Sequence, residues 1–137
     1  MSEKPHPFIE LSNLIDEYSE NRHTYDAPKL QNIRESISLA LFYLSDSASQ
    51  ALANYEMSEH TRKTKMAERE QYHRNEVGSD GKHMTVAEAA NLARIDCKAE
   101  TEDCKNALRQ KERVRIILSS TQQILNSIST RLSLISK

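Results

Sequence analysis

The chain has little glycine, proline or large aromatic side chain: two Gly, three Pro, two Phe, five Tyr and no Trp in 137 residues. Glycine and proline punctuate turns and end helices, so their scarcity excludes a fold of many short strands joined by tight turns. Both glycines, Gly78 and Gly81, fall in one short stretch, and the prolines, Pro5, Pro7 and Pro28, all lie near the start. Two long runs therefore carry no breaker. With 37% hydrophobic and 28% charged residues, the composition is also too poor in large side chains to fill one thick core. No apolar run approaches the roughly 18 residues that read as a membrane span. Met1 to Pro7 lacks the apolar segment of a signal peptide, so a cytoplasmic location is expected. Cys97 and Cys104 are two helical turns apart, about 10.5 Å along a helix axis, farther than a disulfide spans. They read as reduced seam residues.

Signals of catalysis are equally scarce. His6, His23, His60, His73 and His83 stand at no metal-ligand spacing with a cysteine or a second histidine, and no phosphate loop or nucleophile elbow occurs. No catalytic residue, metal or cofactor is expected.

What the chain does have is helical periodicity. Cys97, Cys104, Leu118, Leu125 and Leu132 fall on one seven-residue row, and Ala93, Ala107, Val114, Ile128 and Ile135 on a second, which is the seam of a long coiled-coil helix. Phe8, Leu11, Leu14, Ile15 and Tyr18 mark a short amphipathic helix. Leu30, Ile33, Ile37, Ala40, Leu41, Leu44, Ala48, Ala51, Leu52 and Tyr55 mark a long one, opened by Asp26 and Pro28. Thr85 with Glu88 forms a capping box. The fold expected is all-α in one domain: an N-terminal tail and short helix over 1–27, a first long helix over 28–76, a turn over 77–84 and a second long helix over 85–136. Folding back at the glycines makes a long antiparallel helical hairpin. Its apolar base assembles copies into a homo-oligomer through Leu41, Leu44, Leu118, Leu125, Ile128 and Leu132, with Leu39, Phe42 and Leu134 as uncovered flanks.

Charge is unevenly spread. Residues 1–59 hold four basic against ten acidic residues, 60–115 hold thirteen against ten, and 116–137 hold two and none. The first long helix thins from Glu56 onward, and Thr61 to Arg74 concentrates Arg62, Lys63, Lys65, Arg69, Tyr72 and Arg74. Cations that neutralise phosphates, beside a ring on which a base can stack, are the ingredients of single-stranded nucleic-acid binding. Arg62, Lys65 and Arg69 share a helix face at three-four spacing, and part of this charge is expected to pair with nearby carboxylates.

The A-x-R-x-x-Y stretch (Ala67, Arg69, Tyr72, followed by Arg74), the glycine-containing turn after it and the long last helix ending L-N-S-I-S-T-R-L-S-L-I resemble the T4-type phage recombination mediator family, UvsY. The likeness extends over roughly Lys29 to Ile135. It differs at one point: the family's paired aromatics run into glycine, whereas His73 follows Tyr72 and the first glycine is Gly78. The resemblance implies a ring-like homo-oligomer that binds single-stranded DNA and loads a RecA-like recombinase onto DNA covered by single-strand binding protein, in the host cytoplasm if phage-encoded. It places Arg69, Tyr72 and Arg74 in the DNA-binding motif, with Lys65 and Arg62 as supporting contacts. The rival expectation is a helical scaffold or adaptor that binds other proteins through its seam, without nucleic acid.

Overall fold

In the computed structural model, residues 6–135 are described; the expected tail over 1–5 and the end of the last helix at 136 lie outside them. The described residues form four helices and no strand: α1 (Pro7–Asn21), α2 (Ala27–Asn75), α3 (Val86–Asp96) and α4 (Lys98–Ile135). Among them no helix is long and apolar enough to cross a membrane.

The helix starts follow from their capping chemistry. Pro7 occupies the first turn of α1, and His6 Nδ1 accepts the Phe8 amide at 3.2 Å. Asp26 Oδ1 takes the Lys29 amide at 3.0 Å to open α2, and Thr85 Oγ1 takes the Glu88 amide at 3.2 Å to open α3. Each bond satisfies an amide that the helix itself leaves without a partner.

The expected unbroken helix over 85–136 is interrupted at Cys97, whose φ of −100° and ψ of 20° leave the helical region. No glycine or proline is involved. The Cys97 carbonyl accepts from both the Thr101 amide, at 2.9 Å, and the Thr101 hydroxyl, at 3.0 Å. Such back-bonding by a threonine one turn on bends helices. The break separates α3 from α4 and makes four helices where the periodicity alone predicts three.

The chain divides into two compact units, residues 1–50 with 113–137, and residues 51–112. In the first unit, Leu11 and Tyr18 of α1, Leu30, Ile33, Ile37, Ala40 and Leu44 of α2, and Leu125, Ile128 and Leu132 of α4 make one apolar cluster. Leu30, Ile37, Leu44 and Ile128 are wholly buried, and each such side chain contributes about 1.5–3 kcal/mol when removed from water. The Tyr25 hydroxyl reaches Glu17 at 3.0 Å, and the Arg131 guanidinium donates to the Arg22 carbonyl, tying the loop after α1 to α1 and to α4.

The residues expected at an interface between copies take part in this core. Leu44, Leu125, Ile128 and Leu132 are buried within one chain, and Leu41 and Leu118 pack half-buried against them. The reason is α1, which supplies a third apolar face to a seam that two helices would leave open. Leu39, Phe42, Tyr43 and Leu134 remain exposed, Phe42 to 70%.

The second unit has a smaller interior: Ala51, Ala89, Ala93, Cys97 and Cys104 are its buried apolar residues, with His73 buried beside them. Both cysteines are free thiols, and burial pushes the Cys97 thiol above its ordinary pKa. Lys111, on the seam row of the cysteines, lies over the Tyr55 ring at 4.7 Å, a cation–π contact that lets a charged residue occupy a seam position. Between α2 and α3 the Gly78 amide bonds the Lys82 carbonyl and the Gly81 amide the Gly78 carbonyl, both at 2.9 Å. Gly81 has φ +78°, a left-handed conformation that glycine adopts without steric cost.

Candidate nucleic-acid interface

The basic segment lies on the last turns of α2, inside the second unit. Arg62, Lys65, Arg69 and His73 continue at three-four spacing the stripe that Ala51 and Tyr55 begin, so their side chains face α3 and the start of α4 rather than solvent alone. Opposite them are the small side chains Ala89, Ala93, Cys97 and Cys104. Long basic side chains suit this position, because their methylene stems cover apolar surface while their charged ends reach the margin.

Those ends meet carboxylates. Lys65 Nζ stands 2.5 Å from Glu100 Oε1, Arg69 Nε 2.8 Å from Asp96 Oδ2, and His73 Nε2 2.6 Å from the same Asp96 oxygen. Arg62 pairs with Glu59 at 3.2 Å, and Lys63 reaches the other Glu59 oxygen at 3.4 Å. Hydrogen bonds from His73 and then Arg69 hold the Asp96 carboxyl below its usual range, and Lys65 does the same for Glu100. The cations respond in the opposite direction, with Lys65 raised by Glu100 and Arg69 by Asp96.

Two residues of the set are presented differently. Tyr72 is 50% exposed, and the Arg69 guanidinium lies over its ring at 4.4 Å. Its hydroxyl is hydrogen-bonded to Glu76, which raises its pKa. Arg74 is exposed and makes no ion pair among the described residues. Its backbone is fixed by His83, whose Nδ1 donates to the Arg74 carbonyl at 3.1 Å. A shallow groove beside it is lined by Glu70, Gln71, Arg74, Asn75, His83 and Met84.

The structure therefore gathers all six sequence-chosen residues on one helix end but divides them. Arg62, Lys65 and Arg69 pair with the chain's own carboxylates, Lys63 is a solvated partner of Glu59, and Tyr72 and Arg74 are exposed on different faces of α2. Residue type alone does not mark Asp96, Glu100 and His73 as part of this site. One signal points to His73: the three-four phase of the apolar stripe runs into Arg62, Lys65, Arg69 and His73, which makes that face the inner one.

Among the described residues no group of three or more His, Cys, Asp or Glu side chains is placed to hold a metal ion. No family model, curated protein or solved structure matches the chain.

Proposed function

We propose that this protein binds single-stranded DNA without sequence specificity and acts as a recombination mediator, loading a recombinase of the RecA-like class onto strands covered by single-strand binding protein. The observation that carries the reading is the half-exposed Tyr72 ring backed by the Arg69 guanidinium; Arg74, exposed two residues on, lies on another face of α2. An aromatic face beside a cation offers a base a stacking platform and a phosphate a counter-charge. With so many neighbouring cations engaged internally, each subunit binds weakly. The proposal therefore includes a long antiparallel hairpin that assembles into a homo-oligomer, in which many weak sites on one flexible strand act by avidity.

The deciding experiment is fluorescence anisotropy of a labelled oligothymidylate across a salt series, with wild type, Tyr72→Ala and Arg74→Glu. Base stacking is worth about 1–3 kcal/mol per base, so Tyr72→Ala should weaken binding at least several-fold. Arg74→Glu should weaken it and flatten its salt dependence by about 0.7 per lost phosphate contact on a single strand. Binding that both variants leave unchanged, or no binding at low salt, rules the reading out. Lys65 and Arg69 are poorer probes, because reversing either also breaks an internal ion pair.

A second reading, a helical scaffold or adaptor for other proteins, is supported by the exposed Leu39, Phe42 and Tyr43, which lie together on one face of α2. Under that reading Phe42→Ser abolishes association measured by light scattering, while Tyr72→Ala and Arg74→Glu have no effect.

A further inference from the structure

We infer that Lys65 and Arg69 are a latent phosphate-binding pair, closed in this structure by Glu100 and Asp96, and that a single-stranded polyanion opens it by displacing the two carboxylates and loosening α3. This rests on the single-stranded DNA reading and adds to it how the site is regulated.

The two carboxylates belong to one place in the fold. Asp96 is the last residue of α3 and Glu100 lies in the first turn of α4, so they flank the break at Cys97. A local movement of α3 about Cys97 would free Arg69 and His73, and the start of α4 carries the carboxylate on Lys65. The break thus lies between the two carboxylates that hold Arg69 and Lys65.

What holds α3 in place is slight. Ala89 and Ala93 are its buried residues and Ala90 and Leu92 are half-buried, while Val86 and Ile95 face outward. Alanine methyls and one half-buried leucine remove modest apolar area from water, and the Asp96 pairs with Arg69 and His73 add to that attachment. That carboxylate and its Arg69 partner are each about a third exposed, and Lys65 is exposed to a similar degree. Ion pairs open to water are weakly held. A phosphate chain offers the same cations several charges at once and gains further from counterion release. A segment with few buried contacts is also the part of a protein that opens first.

The test uses the full chain, an oligothymidylate and amide hydrogen exchange over residues 86–96. Three proteins are compared: wild type, Asp96→Asn with Glu100→Gln, and a charge-matched control, Glu102→Gln with Asp103→Asn. Glu102 pairs with Lys105 on its own helix at 3.6 Å, so the control changes net charge equally without touching Lys65 or Arg69. Saturating oligothymidylate is expected to speed exchange of α3 in wild type at least tenfold. The Asp96/Glu100 variant is expected to bind at least fivefold tighter than the control. If circular dichroism shows that the double variant has lost helix, Glu100→Gln alone replaces it, with Glu102→Gln alone as its control.

Equal affinity of variant and control means general electrostatics and overturns the latch, as does wild-type binding with α3 exchange unchanged; both leave the DNA reading standing. Binding by the variant alone supports a latch that wild type keeps shut. No binding by any of the three proteins overturns both readings.

Discussion

Replacing Ile128 by alanine separates a residue of the chain's own core from a residue of an interface between copies, the two roles that structure and periodicity assign to the same side chain. Ile128 is wholly buried among Leu30, Ile37, Leu44 and Leu132 of the first unit's cluster. The substitution removes three carbons, at about 0.8 kcal/mol each for lost burial. The void they leave, on the order of 70 Å³ if nothing collapses, adds about 1.7 kcal/mol at 24 cal/mol per Å³. The expected loss is about 2.5–4 kcal/mol, a fall in melting temperature on the order of 10 °C for a chain this size. Thermal and urea unfolding followed by far-ultraviolet circular dichroism, at two widely separated protein concentrations, measures it. Because the contacts are intrachain, the loss should be the same at both concentrations. Phe42→Ala, at an exposed site, should cost well under about 1 kcal/mol in a single chain and act only on association. A loss at Ile128 under about 1 kcal/mol, or one that shrinks as concentration rises, would refute the assignment to the core.

Thr121 is buried on α4 with its hydroxyl unpartnered, so Thr121→Val should stabilise the chain by up to about 1 kcal/mol; a destabilised variant in the same melts contradicts an unmet hydroxyl. The second unit should be acid-sensitive. Asp96 and Glu100 titrate below their ordinary range in the folded chain, so the stability they add is complete above that range and lost as pH falls through their folded values. Protection from exchange over residues 86–96, measured relative to the intrinsic rate at each pH, should therefore fall from about pH 5 downward, since unperturbed carboxylates titrate near 4. Asp96→Asn with Glu100→Gln should remove that dependence, and a double variant with the wild-type acid profile would rule out these two groups as its source.

Helix starts were readable because they depend on neighbours in sequence: Asp26, Pro28, Thr85 and Glu88 act within one turn. The break at Cys97 was not, because a threonine hydroxyl four residues on can leave a helix straight or bend it, and composition does not distinguish the two. The candidate site was half legible. Residue type picked out Arg62, Lys63, Lys65, Arg69, Tyr72 and Arg74, but the carboxylates that pair with Arg69 and Lys65 stand 27 and 35 positions away, at Asp96 and Glu100.

The sequence alone determined that this chain is helical and where α2 and α3 begin, since apolar spacing, capping residues and the shortage of glycine and proline act locally. It also determined that basic and tyrosine side chains gather near the end of α2. Only the tertiary structure decided which of those cations face a carboxylate and which face water, and that the leucine-rich seam closes on the chain's own α1. Those outcomes depend on distances between residues far apart in the chain, and periodicity, which fixes a residue's face on its own helix, carries no information about what stands opposite.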